Sequence, residues 1–184
     1  EVVVNGWSPS KRNGKFANSG FVVTVDDRDF APFNSAGALR ALRYQQHWEQ
    51  QAFRVSGSLS APAQRRADFI QGKVSANLPE NSYLPGLVTA SIGDVLSPAI
   101  HNRIRESLVV LGKKMHGFRT NEGILVGVES RTSSPVRIPR NNDNLQHPQI
   151  SNLYPCAEGA GYAGGIMSAA LDGMRVVEAI VAAK

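Results

Sequence analysis

Residues 153–166 read LYPCAEGAGYAGGI, and this stretch carries the strongest structural signal in the chain. Leu153 to Cys156 is a short apolar run typical of a buried strand, and Glu158 to Gly165 is a glycine-rich turn. The residues that follow, Ile166 to Ala183, predict a helix with small and apolar side chains on more than one face. We expect such a helix to pack against a sheet, so this end of the chain indicates an α/β fold.

The turn contains the pattern G-x-G-x-x-G, formed by Gly159, Gly161 and Gly164. Glycines at these positions permit a tight turn and let a ligand approach the N–H groups at the positive end of the next helix. A dinucleotide fold also needs a second parallel strand and an acidic residue about 20 positions later, and the sequence ends at Lys184. The pattern is therefore not a complete pyrophosphate fingerprint. Glu158 would repel a pyrophosphate, but it can accept hydrogen bonds from sugar or ribityl hydroxyls.

Upstream of this stretch the hydropathy pattern predicts both strands and helices. The predicted strands are Val2 to Val4, Phe21 to Val25 and Gly123 to Val128, which are rich in β-branched or aromatic residues. The predicted helices run from an N-cap at Ser35 to Gly57, from Pro62 to Gly72, and from an N-cap at Ser97 to Gly112. We expect residues 73–95 and 129–152 to be mainly loops.

Length and composition indicate a globular chain. Of the 184 residues, 42% are hydrophobic, which is enough to fill a core, and no apolar run approaches the roughly 20 residues that cross a bilayer. We therefore expect a soluble protein with no membrane partner. Cys156 is the single cysteine, so no internal disulfide is possible and the cytoplasm is the expected location.

The net charge of +5 identifies no partner by itself. The basic residues are scattered, and pairs such as Arg65-Arg66 and Lys113-Lys114 lack interleaved aromatic residues that could stack on bases. We therefore do not expect a nucleic-acid partner. The four histidines share no ligand spacing, so no metal site is expected.

Two segments of the chain resemble a known family. Residues 127–138 read GVESRTSSPVRI, and residues 153–166 are followed by SAALDG at 168–173. Together they resemble the C-terminal part of a family of uncharacterised FAD-dependent dehydrogenases and, more distantly, flavoproteins of the glutathione-reductase-like superfamily. The resemblance implies an α/β fold, here an α+β fragment. Residues 1–112 would form a substrate or cap lobe, and residues 113–184 would return to supply the C-terminal strand and helix of a Rossmann-like FAD-binding lobe.

The resemblance also implies roles for residues of the turn. Glu158 corresponds to the contact with the ribityl chain of FAD, and Gly164, Gly165 and Ile166 correspond to neighbours of the flavin N1/O2 edge. The full set implied for cofactor binding is Glu158, Gly159, Gly161, Tyr162, Ala163, Gly164, Gly165 and Ile166. A reduced flavin is anionic around N1, and a helix N-terminus stabilises that charge. Ala157 departs from the family pattern, which usually has glycine there, and we expect its methyl group to shift the turn.

The polar segment before the turn offers weaker candidates for substrate binding. These are Arg131, Thr132, Ser133, Ser134 and Arg137, whose hydroxyl and guanidinium groups suit an anionic substrate or the isoalloxazine ring. A solvated polar loop is the equal alternative. No residue stands out as a general acid or base, so the catalytic residues stay unknown.

The family's N-terminal FAD-binding half is not in this sequence. The resemblance therefore implies a C-terminal fragment of an FAD-dependent dehydrogenase, inactive alone, whose partners are that N-terminal half and an unidentified small-molecule substrate. The alternative is a stand-alone binding or interaction domain without catalytic activity. The coding region upstream of Glu1 discriminates between them, because a strand followed by a second glycine-rich turn favours the dehydrogenase.

Overall fold

The computed structural model describes residues 1–6, 8–118 and 120–182, so the predicted helix end at Ala183 lies outside the described residues. The helices are α1 (Asp27–Phe30), α2 (Arg40–Ser56), α3 (Arg66–Gln71), α4 (Pro98–Lys114) and α5 (Ile166–Ala182). The strands are β1 (Ala61–Arg65), β2 (Leu87–Thr89) and β3 (Ile124–Val126), and 3-10 turns cover Ala31–Leu39 and Ile92–Val95. The predicted mixed α/β class is confirmed. None of the helices in the described ranges is long and apolar enough to cross a membrane.

The chain divides into two compact units. The first unit comprises Glu1–Asp29 and Tyr44–Ser130, and the second comprises Phe30–Arg43 and Arg131–Lys184. The first unit contains the sheet, and the second contains the glycine-rich turn and α5. The assignment of a substrate lobe and a cofactor lobe to parts of this chain stays a prediction.

The sheet of the first unit has the strand order β2-β1-β3. β1 runs parallel to β2 and antiparallel to β3, and the latter confirms the strand predicted between Gly123 and Val128. The buried Gln64 on β1 ties neighbouring loops to the sheet. Its amide nitrogen donates to the carbonyl of Lys73 at 2.6 Å, and its amide oxygen accepts from the N–H of Ile92 at 2.9 Å. The polar atoms of this side chain are thus satisfied inside the core.

A single hydrophobic core holds the first unit together. Its buried members are Val2, Val4, Ala52, Ala61, Phe69, Ile92, Val95, Ile104, Leu108 and Val128. Phe69 and Leu108 are among the largest fully buried side chains, and burial of each contributes about 1.5 to 3 kcal/mol.

Helix α4 confirms the predicted helix and its start, but it continues past the predicted end at Gly112 to Lys114. Ser97 is the N-cap, and its hydroxyl accepts a hydrogen bond from the N–H of Ile100 at 3.3 Å. Pro98 occupies the first turn, where its missing N–H costs nothing. Ile104 and Leu108 are buried, so the predicted apolar stripe faces the core.

Three of the strand predictions are wrong. No strand forms at residues 2–4, 21–25 or 153–156. Near the N-terminus, the N–H of Val2 donates to Glu49 and the N–H of Val4 donates to Val128, both at 3.0 Å. These bonds reach two different parts of the chain, so no ladder forms although both valines are buried. In the last of the three segments, Pro155 has no N–H to give to a ladder.

Two predicted helices are corrected in their extent. The helix expected from Ser35 begins later, as α2, because the backbone of Gly37 is non-helical, and it ends before Gly57 as predicted. The segment from Pro62 to Gly72 divides between β1 and α3, and α3 stops at Gly72 as predicted.

Helix α5 forms where the sequence predicts it, and one face of it is exposed. It buries Asp172 and Val176. Its exposed apolar residues, which we call the α5 apolar face, are Ile166, Met167, Leu171, Met174, Val177 and Val181. The described residues of the second unit form no strand, so the sheet expected against this helix stays a prediction.

Candidate functional site

The glycine-rich turn of the second unit is closed by its own backbone. The N–H of Tyr162 donates to the carbonyl of Ala157, and the N–H of Gly161 donates to the carbonyl of Glu158, both at 2.9 Å. Closing the chain this tightly requires left-handed backbone at Ala157, where φ is +59°, and at Gly161, where φ is +80°. The turn is therefore a defined structure that leads directly into α5.

Gly161 is needed for a close approach as well as for its backbone angle. A Cβ atom at this position would lie 2.7 Å from the carbonyl oxygen of Val136 and 3.1 Å from the Cα of Arg137. The N–H of Ile138 also donates to the carbonyl of Ala160 at 3.1 Å. The turn thus packs directly on the polar segment that the sequence singles out for substrate binding.

A buried ion pair anchors the start of the turn. Two nitrogens of the Arg140 guanidinium donate to the two carboxylate oxygens of Asp172, at 2.7 and 2.9 Å. The two side chains are only 6% and 8% exposed. One oxygen of Asp172 also accepts from the N–H of Ala157 at 2.8 Å, and Arg140 donates to the carbonyl of Pro155 at 2.9 Å. The pair therefore fixes the chain on both sides of Cys156.

The same contacts set the charge states of the pair. The Arg140 guanidinium, followed by the N–H of Ala157, lowers the pKa of Asp172 below its ordinary value despite the opposing effect of burial. The hydrogen bond from Arg140 to Asp172 in turn raises the pKa of Arg140. Both groups are ionised at neutral pH, as a buried pair requires.

Tyr162 is held by three contacts. Its hydroxyl donates to the carbonyl of Ile138 at 2.9 Å. The guanidinium carbons of Arg140 and Arg137 lie 3.7 and 4.4 Å from its ring centroid, which are cation–π distances. These contacts give Tyr162 a structural role in the turn, whereas the resemblance implies that it neighbours the cofactor.

Glu158 and the start of α5 present unused hydrogen-bonding groups. The Glu158 side chain is exposed and accepts no hydrogen bond from any described residue. Ser168 caps the helix by accepting from the N–H of Gly165 at 3.1 Å. The N–H groups of residues 166–168 follow this cap and have no acceptor in the described part of the chain, as is usual for a first helical turn. A Cβ added at Gly164 would meet open space.

The structure brings two of the five predicted substrate residues to the turn. The hydroxyl of Ser134 lies 3.3 Å from the carbonyl oxygen of Gly159, and Arg137 lies against the Tyr162 ring. Arg131, Thr132 and Ser133 are exposed. Ser134 also donates to Val136 at 2.8 Å, so its hydroxyl is already engaged within its own segment.

Sequence reasoning did not identify the Arg140–Asp172 pair. In the sequence, Asp172 is a charge that interrupts an apolar helix, and Arg140 lies 32 positions earlier. An acidic residue inside such a helix requires a buried partner, and that requirement is the signal that could have found the pair.

Two comparisons place the chain among known proteins. A family model described as "FAD-dependent protein, C-terminal domain-like" matches residues 1–132. An uncharacterized protein of Clostridium beijerinckii is 39% identical over 183 residues, which is 98% of this chain and 34% of the relative. The chain thus spans about a third of the length of that relative. The glycine-rich turn lies outside the residues matched by the family model but inside the match to the relative.

Proposed function

The chain belongs to the family of FAD-dependent proteins that share this C-terminal domain, and from that membership we propose that it forms part of the FAD site of an oxidoreductase. The observation that carries the proposal is the turn itself. An exposed carboxylate at Glu158 and the N–H groups at the start of α5 lie at the two ends of one rigid turn, without protein partners among the described residues.

These groups match the two chemical needs of a flavin. The Glu158 carboxylate accepts hydrogen bonds from ribityl hydroxyls, since an ionised carboxylate is only an acceptor. Gly164 and Gly165 lead into α5 at Ile166, and the positive end of this helix would stabilise the electron-rich edge of a flavin bound there. Gly161 and Tyr162 hold the shape of the turn, and we propose that Gly159 and Ala163 complete the surface that faces the flavin. A bound flavin supplies hydride transfer, and we propose a dehydrogenase reaction on a small molecule.

Other parts of the protein complete the proposed site. We place the pyrophosphate-binding half in the remainder of a longer protein, because the chain spans only about a third of the length of its relative. In a Rossmann-like lobe, a sheet from that half would cover the α5 apolar face, which is exposed here.

Arg137 beside the turn is the substrate-binding candidate with the best support, since a guanidinium suits an anionic substrate. The lone Cys156 favours a cytoplasmic location for the whole.

The role of Glu158 is tested in the full-length protein as encoded. The Glu158→Gln variant removes the charge and keeps the size of the side chain, and we expect FAD affinity to fall roughly tenfold or more. Titration of the deflavinated protein with FAD, followed by flavin fluorescence, measures this change. Glu178→Gln is the matched control, because Glu178 is an exposed carboxylate on α5, the helix that follows the turn.

Two results together would overturn the assignment. They are purification of the full-length protein without flavin and an FAD affinity that is the same in Glu158→Gln as in the parent. In that case the second candidate, a binding domain without catalytic activity, becomes the better reading, and it is favoured by the exposed α5 apolar face.

A further inference from the structure

A cavity in the first unit lies outside the proposed flavin site. It has a volume of about 310 Å³ and is lined by Arg66, Ala67, Ile70, Gln71, Thr120 and Asn121. A cavity of this size is at the small end of those that hold ligands in proteins. It is built from α3 and from the residues that precede β3, so it belongs entirely to the first unit.

The side chain of Arg66 is held in place by packing, with no acceptor among the residues that the structure describes. Its guanidinium carbon lies 4.1 Å from the ring centroid of Phe118. On another side, a Cβ added to Gly123 would lie 3.1 Å from the same carbon. The backbone N–H of Arg66 donates to the carbonyl of Gly123 at 2.8 Å, which fixes the base of the side chain. The position of the guanidinium is therefore determined by packing.

The neighbouring Arg65 has the hydrogen-bond acceptors that Arg66 lacks among the described residues. The guanidinium of Arg65 donates to the backbone and side-chain oxygens of Asn77, at 2.9 and 2.7 Å, and to the carbonyl of Asn121. Within the described ranges, the guanidinium of Arg66 donates to no oxygen and forms no ion pair. Burial also lowers the pKa of Arg66 from its ordinary value, yet a guanidinium stays charged at neutral pH. Arg66 is half-buried, and a positive charge that is fixed by packing and has no acceptor among the described residues suits a bound anion.

Further donors and an apolar wall surround this charge. The hydroxyl oxygen of Thr120 accepts from the N–H of Glu122 at 3.1 Å, which leaves its proton free to donate. Arg105 donates to the carbonyl of Ile70 at 2.7 Å and so brings a second positive charge to the residues that line the cavity. The side chains of Ala67 and Ile70 supply apolar surface.

We propose that this cavity binds a small organic carboxylate with an apolar body. The carboxylate pairs with Arg66, whose planar fork matches its two oxygens, and accepts a hydrogen bond from Thr120. The apolar body lies on Ala67 and Ile70. A simple phosphate would leave that apolar surface uncovered. This site is independent of the flavin proposal, since none of its residues belongs to the glycine-rich turn.

The test is an NMR titration of the full chain with benzoate as the probe. We expect saturable binding, nuclear Overhauser contacts between the benzoate ring and the Ile70 methyl groups, and at least roughly tenfold weaker binding to Arg66→Gln. Arg54→Gln is the matched control, because Arg54 is an exposed arginine of the same unit on α2. It should bind benzoate with an affinity within twofold of the parent.

Three results would overturn the proposal. The first is an absence of saturable benzoate binding by the folded chain, and the second is equal binding of benzyl alcohol, which has the ring without the charge. The third is tighter binding of inorganic phosphate than of benzoate. If Arg66→Gln fails to fold, the contacts with Ile70 in the unmodified chain decide alone, and their absence contradicts the site.

Discussion

Ala157 adopts a backbone conformation that L-residues avoid. Its φ of +59° places it in the left-handed region, which costs about 1 to 2 kcal/mol for a residue with a Cβ. Two hydrogen bonds hold it there, from its N–H to Asp172 and from the N–H of Tyr162 to its carbonyl. The alanine that departs from the family pattern therefore sits where glycine is the favoured residue.

Replacement of this residue by glycine should stabilise the chain. We expect Ala157→Gly to raise the free energy of unfolding by about 0.5 to 1 kcal/mol, because relief of strain exceeds the added entropy of the unfolded state. Chemical denaturation followed by circular dichroism measures the change. Ala160→Gly is the control, since Ala160 is buried and has ordinary backbone, and it should lose stability. A loss of stability in Ala157→Gly would contradict the strain argument.

Gly161 should tolerate no side chain. Gly161→Ala adds a Cβ 2.7 Å from the carbonyl oxygen of Val136 in left-handed backbone, so we expect a loss of about 2 kcal/mol. Gly159→Ala in the same turn is the matched control, because a Cβ there meets no atom within 4 Å and its φ is not left-handed. The same denaturation assay compares the two, and equal effects would show that the close approach has no energetic importance.

Asp172 should be the most sensitive carboxylate of the second unit. Asp172→Asn leaves the Arg140 guanidinium buried without a counter-charge, which costs about 3 kcal/mol. Glu178→Gln, an exposed change on the same helix, should alter the unfolding free energy by less than about 0.5 kcal/mol. A loss below about 1 kcal/mol in Asp172→Asn would mean that the pair is not important for folding.

The same pair predicts a pH dependence in the acid range. The pKa of Asp172 is lowered in the folded chain by its hydrogen bond to Arg140, from an ordinary value of 3.8. Its contribution to stability is therefore complete above that value and is lost as pH falls through the lower folded pKa. We expect the stability difference between the parent and Asp172→Asn to be constant from pH 7 to about 5 and to shrink below about 4. Denaturation curves at several pH values check this, and a difference that grows on acidification would be inconsistent with it.

Among the elements, α4 shows how local signals determine a helix. Its N-cap, its proline and its apolar stripe all lie within one segment, so the sequence predicts it without knowledge of the rest. The segment at Val2 and Val4 shows the opposite case. Its hydrogen bonds go to Glu49 and Val128, and no local pattern contains that information. Burial of this segment was predictable, whereas its pairing was not.

The candidate site also combines features that a local sequence pattern predicts with contacts that it does not predict. The glycine-rich turn and the start of α5 follow from a local pattern, and both form where the sequence predicts them. The anchor of that turn depends on Arg140 and Asp172, which are distant in sequence and charged, so neither hydrophobic periodicity nor turn signals pair them. The sheet expected against α5 stays a prediction, because hydropathy indicates that a face needs cover and does not identify what covers it.

The contribution of the N-cap to the stability of α4 can be tested by substitution. Ser97→Ala removes the acceptor for the N–H of Ile100, so the helix should lose about 1 kcal/mol. Ser97→Thr keeps a hydroxyl at the same position and is the control, with most of the stability retained. Urea denaturation of the two variants measures the difference, and identical stabilities would show that water replaces the cap without cost.

For the molecule as a whole, the α5 apolar face predicts how the chain behaves alone. Exposed apolar patches promote association, so we expect the 184-residue chain to self-associate at high concentration. The Leu171→Lys, Met174→Lys double variant should reduce this association without lowering the unfolding free energy, since both side chains are already exposed. Sedimentation velocity measures the effect. Leu84→Lys is the control because Leu84 is an exposed loop leucine of the first unit, and an equal reduction in that variant would contradict a specific role for α5.

The first unit pairs segments that are distant in the sequence, and this has a consequence for folding during synthesis. β1 pairs with β3, which follows about 60 residues later, and the N–H of Val4 near the start of the chain bonds to Val128. During synthesis β1 can therefore pair with β2 early, but it lacks its second partner, β3, until Val126 has been made. Until that moment one edge of β1 stays unpaired and the N–H of Val4 lacks its acceptor, so the nascent chain exposes a strand edge that can pair with another chain.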